Sequence, residues 1–341
     1  MKKKISCAVA GTGRIGSSLE DDRKREKPAS HAGAISRNGN TSLIAGCDSD
    51  AEALSSFGVR WNISPEHLYQ SLSKMIENEK IEILHIATST ESHIDNLRTA
   101  LAFRLPVIIL EKPVAETLTE GESVLSEIKA AGTKIIVNHE RRFSADYAYA
   151  KGISDQKVYG ALLSLSARLF IGKTKRVKDV LWHDGTHMID IIRYLTGSDI
   201  TPVSVYGNPW SKEGNVFLIG RAGICDVVLE CSPGRDHLQF ELDLSFESGR
   251  LRIGNGIFEE TESRISPYYE TYRSLLPVKT HFPKGKNGCI RTGYFENMMA
   301  HAVEVYTYRQ TAVVSSFEDG LASIRTIQAF LDMSGYGETE G

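Results

Sequence analysis

The chain has 341 residues, enough for about two domains, of which 41% are apolar and 24% charged. That balance excludes wholesale disorder, and a formal net charge of −3 excludes the basic surface of a general nucleic-acid binder. Five scattered cysteines (Cys7, Cys47, Cys225, Cys231, Cys289) form no C-x-x-C pair, so neither a disulfide framework nor a zinc ribbon is expected.

The opening MKKKISCAVAG imitates a secretory leader, but its apolar stretch is short and runs directly into a glycine motif. No run reaches membrane length, so a cytoplasmic protein without a membrane partner is expected. Ile5 to Ala10 reads as a buried parallel strand. It ends in Gly11-Thr12-Gly13-Arg14-Ile15-Gly16, which fits G-x-G-x-x-G. The first glycine permits a tight turn, the second lets backbone approach a pyrophosphate, and the third allows close helix–strand contact. Amides at the following helix start would hold the anion.

Ser42–Cys47 is a second strand, closed by Asp48. A carboxylate there accepts from ribose hydroxyls and repels a 2′-phosphate, which favours NAD over NADP. The alternative is that Asp48 only caps a helix starting near Asp50. Gly11 and Asp48 are 37 residues apart, against about 20 in the usual fingerprint. The excess contains EDDRKREK at 20–27, eight consecutive charges that no packing helix could bury. The expected parse is a short helix from Arg14 to about Leu19 and a charged loop reaching Pro28. A second helix, HAGAISRN, then follows, capped by Ser30 and ended by Gly39. The loop reads as solvated, with a flap over the cofactor as the alternative.

Strands then alternate with helices: strand 81–87 leading to Thr88-Ser89-Thr90, helix 92–105, and strand 107–110 leading to Glu111-Lys112-Pro113. Helix 117–131 follows, then strand 134–137 leading to Asn138–Phe143, where Arg141, Arg142 and Phe143 are candidate pocket residues. This alternation predicts a doubly wound parallel sheet, whose ligands bind beyond the C-terminal strand ends. Gly11–Gly16, Asp48, Thr88–Thr90, Lys112 and Asn138–Arg142 all fall at such ends.

After about residue 150 the pattern changes to short β-rich runs at 160–170, 202–208, 214–220, 225–231, 237–246 and 250–254, a mostly antiparallel sheet. A helix from His183 to Leu195, stopped by Gly197, lies among them. His183 and His187 would share a helical face, but without the Glu of H-E-x-x-H and without a third ligand no metal is expected. His187 is a candidate general base; alternatively Asp184, Thr186 and the two histidines satisfy one another. Lys173, Lys175, Arg176 and Lys178 could meet a carboxylate or phosphate, or form a solvated loop. Tyr268, Tyr269 and Tyr272 could stack on a sugar or pack on the sheet.

GTGRIG, HAGAI, CDSD, ATSTESH, EKPVA at 111–115 and G-T-H-M-I-D at 185–190, with weaker support from DGLASI at 319–324, resemble the Gfo/Idh/MocA oxidoreductase family over nearly the whole chain. The resemblance implies an α/β protein with an NAD(P)-binding Rossmann domain over 1–145. An α+β domain with a large open, mostly antiparallel sheet would span 146–341, its final helix (about 316–334) packing back near the first. It implies hydride transfer between NAD and a sugar, cyclitol or sugar derivative. Lys112 would contact the reacting hydroxyl and the nicotinamide side, and His187 would transfer the proton. His93 and Glu111 join the implied cofactor set, and His183 stands where many members carry Asp, with Asp184 one residue later. A non-catalytic nucleotide-sensing regulator and an NAD-dependent glycosidase are the alternatives. An apolar open sheet face predicts a homodimer or homotetramer through the second domain.

Overall fold

Six runs, most of them short and apolar, pair in parallel in the computed structural model, which describes residues 3–172, 175–285 and 290–337. They are β1 (Ile5–Ala10), β2 (Thr41–Cys47), β3 (Leu68–Tyr69), β4 (Ile83–Ile86), β5 (Val107–Leu110) and β6 (Lys134–Val137), ordered β3-β2-β1-β4-β5-β6. Successive connections leave in opposite directions at β1 and β4, which opens a crevice at the C-terminal strand ends. One sheet face carries Cys7, Val9, Ile83, Val107, Ile109 and Ile136 in the same apolar cluster as Ala32, Ala34 and Ile35 of the helix His31–Arg37.

A helix over Tyr294–Thr307, not expected from the sequence, adds Phe295, Met298, Met299, Ala302 and Val305 to that cluster. Burying each large apolar side chain contributes about 1.5–3 kcal/mol, so this helix is integral to the nucleotide-binding unit. The expected division at 145/146 is corrected accordingly. The first unit comprises Met1–Phe143 and Gly293–Leu321, and the second Ser144–Thr292 and Ala322–Gly341. The final helix, Phe317–Met333, has its first residues in the first unit and the rest in the second.

The charged segment differs from its expected parse. No regular helix spans Arg14–Leu19; a turn over Arg14–Ser17 leads into a 3-10 helix at Ser18–Asp21. The His31 amide then donates to Ile15 O (3.1 Å) and the Ala32 amide to Gly16 O (3.0 Å). The helix after the glycine turn is thus resumed in space after an excursion of the chain. The excursion is clamped rather than merely solvated. Glu20 Oε2 accepts from the Ala29 amide (2.8 Å) and Ser30 Oγ (3.1 Å), Asp21 pairs with Arg60, and Glu26 accepts from the Gly293 amide (2.9 Å). Ser30 caps the resumed helix through the Gly33 amide (3.1 Å). Its end is at Asn38 in extended backbone, and Gly39 has no left-handed φ to act as terminator.

Other boundaries shift locally. Helix 117–131 is two helices, Leu118–Ser123 and Leu125–Ala131, broken at Val124, with Thr117 capping the first through the Glu120 amide. Helix 92–105 contracts to His93–Ala102.

The second unit is built on eight strands: β7 (Leu162–Phe170), β8 (Ile200–Tyr206), β9 (Val216–Ala222), β10 (Cys225–Ser232), β11 (Gln239–Phe246), β12 (Gly249–Gly254), β13 (Ile257–Ile265) and β14 (Arg273–Pro277). Their order is β14-β13-β12-β11-β7-β10-β9-β8, antiparallel except for β7 with β10. Strands β13 and β14 were not expected: IFEETESRI is polar and pairs near the sheet edge. Inward-facing Leu165, Ala167, Leu169, Val227, Leu229, Leu242 and Leu244 share a core with Met188, Ile191, Ile192 and Leu195 of the helix Thr186–Thr196 and with Ile327 and Phe330. The opposite face is mixed rather than uniformly apolar: Tyr206, Ile219 and Val228 are exposed on its β8–β10 side, and charged pairs cover the rest. Arg168 lies between Glu230 (3.7 Å) and Glu241 (3.6 Å), Arg252 pairs with Glu241 (2.7 Å), and Arg250 pairs with Asp243.

Candidate active site

The glycine turn meets its three requirements in different ways. A Cβ on Gly11, at φ +89°, would strike the backbone of Ala87 and Thr88, and one on Gly16 would strike the Gly11 carbonyl oxygen. Those two glycines are demanded by the fold. Nothing lies within 4 Å of where a Gly13 Cβ would stand, so the fold alone does not require glycine there. Among the described residues, the amides of Gly13, Arg14, Ile15 and Gly16 donate to no acceptor in the chain. A turn with open space at its second glycine and four unused amides fits the pyrophosphate of a dinucleotide.

Asp48 is tied to this turn. Its Oδ2 accepts from the Thr12 amide (2.7 Å) and Thr12 Oγ1 (3.0 Å), and its Oδ1 accepts from the Asp50 amide (3.0 Å). The helix Ala51–Trp61 is capped by Asp50, through the Glu52 and Ala53 amides, not by Asp48. An ionised carboxylate offers about four acceptor positions, so Oδ1 keeps capacity for a ribose hydroxyl.

At the end of β5, Glu111 is buried and Lys112 half-buried, with the Lys112–Pro113 bond cis. Glu111 Oε1 accepts from His31 Nε2 (2.8 Å) and Asn138 Nδ2 (2.5 Å). Burial alone would raise its pKa. The His31 hydrogen bond, the Lys112 charge and the Asn138 bond outweigh that and hold the carboxyl below its ordinary value.

Three residues of the expected cofactor set also make hydrogen bonds within the chain. Buried His93 places Nδ1 2.8 Å from Pro113 O and Nε2 3.1 Å from Thr88 O, bracing the loops after β4 and β5. Arg142 donates to Val314 O (2.6 Å) and pairs with Asp319 (3.0 Å), and Asn138 turns to Glu111. Thr88 and Thr90 are half-buried at the end of β4, while Ser89 and Arg14 are exposed.

In the second unit, the expected helix from His183 begins as a π-helical turn, Leu181–Gly185, and becomes α-helical at Thr186. The wider turn changes the simple four-residue stacking of His183 on His187. His187 is 9% exposed, Asp184 half-buried and His183 exposed; Thr186 Oγ1 donates to His183 O (3.0 Å). Arg176 pairs with Asp179 (3.1 Å) and Lys178 lies over the Trp210 ring, while Lys173 lies outside the described residues. Tyr268, Tyr269 and Tyr272 are exposed and pack edge-on against one another, not on the sheet.

Burial pushes the thiols of Cys7, Cys47, Cys225 and Cys231 up, so none is a poised nucleophile; Cys289 lies outside the described residues. No helix among the described residues is long and apolar enough to cross a membrane.

Residues 5–139 match the family described as oxidoreductase family, NAD-binding Rossmann fold, GFO_IDH_MocA. Over those residues the chain carries the NAD-binding Rossmann fold of that family. It is 27% identical to inositol 2-dehydrogenase 1 of Paenarthrobacter aurescens over 294 residues, 79% of this chain and 81% of that protein. D-apiose dehydrogenase of Paraburkholderia graminis is 27% identical over 56% of this chain. The matched stretch spans about half the length of several such relatives, 53% of the apiose enzyme and 44% of a cyclohexadiene dehydrogenase from Comamonas testosteroni. The fold of solved oxidoreductases extends over the chain. Scyllo-inositol dehydrogenase of Lactobacillus casei, solved with NAD(H) and scyllo-inositol, aligns at TM-score 0.72 and 18% identity, covering 97% of both chains. An aldose-aldose oxidoreductase of Caulobacter crescentus aligns at TM-score 0.76 and 18% identity, covering 97% of this chain and 98% of that one.

Proposed function

We propose that this chain is an NAD-dependent oxidoreductase acting on a hydroxyl-bearing carbon, or the matching carbonyl, of a sugar, cyclitol or sugar derivative. One observation carries the reading. The glycine turn with four unused amides, the Asp48 carboxylate joined to it through Thr12, and Glu111-Lys112 all stand at the C-terminal ends of one parallel sheet. The named activities of the inositol and apiose relatives support the substrate class.

Gly11–Gly16 would cradle the pyrophosphate, Asp48 the adenosine ribose, and Thr88–Thr90, Glu111 and Lys112 the nicotinamide half. A carboxylate at position 48 repels a 2′-phosphate, which favours NAD over NADP. Bound NAD supplies the hydride acceptor. Lys112 brings an ammonium that steadies negative charge on the reacting oxygen. His187 takes the hydroxyl proton, imidazole being able to exchange it near neutral pH. His183 and Asp184 orient the substrate or the His187 ring.

The setting is cytoplasmic, and the protein self-associates through the eight-stranded sheet, whose outer face carries exposed Tyr206, Ile219 and Val228 beside charged pairs such as Arg250–Asp243. Appearance of NADH with a panel of polyols, aldoses and inositols tests the activity. Turnover by wild type and its loss in Lys112→Ala and His187→Ala are expected. Undiminished turnover in both variants would overturn the assignments.

A further inference from the structure

The register of the first sheet puts one residue out of character. His85 of β4 stands opposite Val9 of β1 and Ile109 of β5, in a stripe that is otherwise aliphatic. It is fully buried, and its Nδ1 lies 2.9 Å from Nδ1 of His31, itself fully buried at the start of the resumed helix. His31 Nε2 is in turn 2.8 Å from Glu111 Oε1. Phe295 closes another side of the His31 ring edge-on, with centroids 5.4 Å apart.

The proton positions follow from what each atom can do. Glu111, an anion, only accepts, so His31 Nε2 carries the hydrogen there. A hydrogen must also lie between the two Nδ1 atoms. If His31 supplied it, His31 would be a cation, and neutral His85 would hold its own hydrogen on Nε2, where no hydrogen-bond partner exists among the described residues. That would bury an unsatisfied donor. If His85 supplies it, both rings are neutral, every hydrogen has an acceptor, and only the Nε2 lone pair of His85 is unmatched. Burial also lowers the pKa of His85, which favours its neutral form.

We propose that His85 is a positioning residue: by donating its Nδ1 hydrogen to His31 it confines the remaining His31 hydrogen to Nε2, so that Glu111 always meets a donor and stays an anion beside Lys112. The titratable groups acting on Glu111 are His31 from the helix His31–Arg37 and Lys112 from its own strand end; Asn138, beyond β6, is neutral. His85 meets His31 alone, since Val9, Ile109 and the Phe295 ring bring no charge. Without the His85 donor, the His31 hydrogen can settle on Nδ1, leaving Nε2 an acceptor that only protonated Glu111 can satisfy. That Lys112 is the group so served rests on the function proposed above; the proton arrangement does not.

The test uses the full chain as wild type, His85→Asn and His85→Leu. An asparagine amide nitrogen reaches roughly where Nδ1 stands and can donate, whereas leucine cannot. Nitrogen NMR of labelled histidines should show His31 protonated on Nε2 and His85 on Nδ1 in wild type, the same His31 form in His85→Asn, and its loss in His85→Leu. The acid limb of NAD binding and of turnover should rise by about one pH unit in His85→Leu only. A wild-type His31 hydrogen on Nδ1 would overturn the proposal. So would a His85→Leu protein with lower thermal stability but unchanged tautomer and acid limb, which would reduce His85 to packing. If wild type shows no turnover, the proposed function fails, while the tautomer measurement still decides the proton chain. Should His85→Leu not fold, the wild-type spectrum and His85→Asn decide it.

Discussion

If the helix after Gly16 is interrupted rather than absent, removing the interruption should mend it. Deleting Leu19–Ser30 leaves Gly16-Ser17-Ser18-His31, which puts the His31 amide four residues after Ile15 and the Ala32 amide four after Gly16. Those are the acceptors both amides already use, at 3.1 and 3.0 Å. The losses can be counted from the structure. Buried Leu19 is worth about 1.5–3 kcal/mol, and the Glu26 bond to the Gly293 amide about 1.5–3 kcal/mol. The exposed Asp21–Arg60 pair adds less than about 1 kcal/mol. Releasing the closure of a loop this long returns about 2 kcal/mol. The net is about 3 kcal/mol of destabilisation, a fall in Tm of about 6–12 °C for a unit of this size, with NAD affinity retained. Thermal unfolding and an NAD titration check both. Deleting Glu20–Lys27 instead removes the Glu20 and Glu26 anchors without restoring helical spacing, and should cost more. Loss of folding or NAD binding in the longer deletion, with the shorter one tolerated, would refute the continuity argument.

Asp48→Ala removes the acceptor for both Thr12 donors, so NAD affinity should fall by at least about tenfold and the preference over NADP should narrow, checked by paired titrations. Tyr159→Phe removes a 2.6 Å bond to the Glu260 carboxylate and should destabilise the second unit by about 1.5–3 kcal/mol in denaturant unfolding. His85 has a folded-state pKa depressed by burial and by His31 below the ordinary 6.5. The unfolded chain therefore binds one more proton as pH falls below that value, and this group's contribution to stability should drop by about 1.4 kcal/mol per pH unit. That component should vanish in His85→Asn, and an unchanged slope would contradict it.

Much of the first unit was readable because parallel strands buried on both faces are continuous apolar runs. Residues 107–110 and 134–137 emerged with the expected limits, and the glycine turn with Asp48 marked the strand ends. What was not readable depends on partners distant in sequence. Nothing in EDDRKREK shows that His31 will return to the carbonyl of Ile15, or that Glu20 will receive Ser30 and Glu26 the Gly293 amide. His93 and Arg142 carry the residue types of ligand contacts, yet backbone carbonyls of Thr88, Pro113 and Val314 claim them. The helix Tyr294–Thr307 did leave a signal, since Phe295, Met298, Met299, Ala302 and Val305 repeat at helical spacing. Strand β13 left little, because a strand bearing Glu259, Glu260 and Glu262 lacks apolar alternation.

The central claim joins a nucleotide site to Lys112-dependent redox chemistry, so both are best measured on one pair of proteins. NAD dissociation constants and NADH formation with a panel of polyols should be determined for wild type and Lys112→Ala. The account predicts turnover in wild type and a loss of about a hundredfold or more in the variant, with NAD affinity changed by only a few-fold. Wild type that does not bind NAD, or a variant that turns over like wild type, would contradict it.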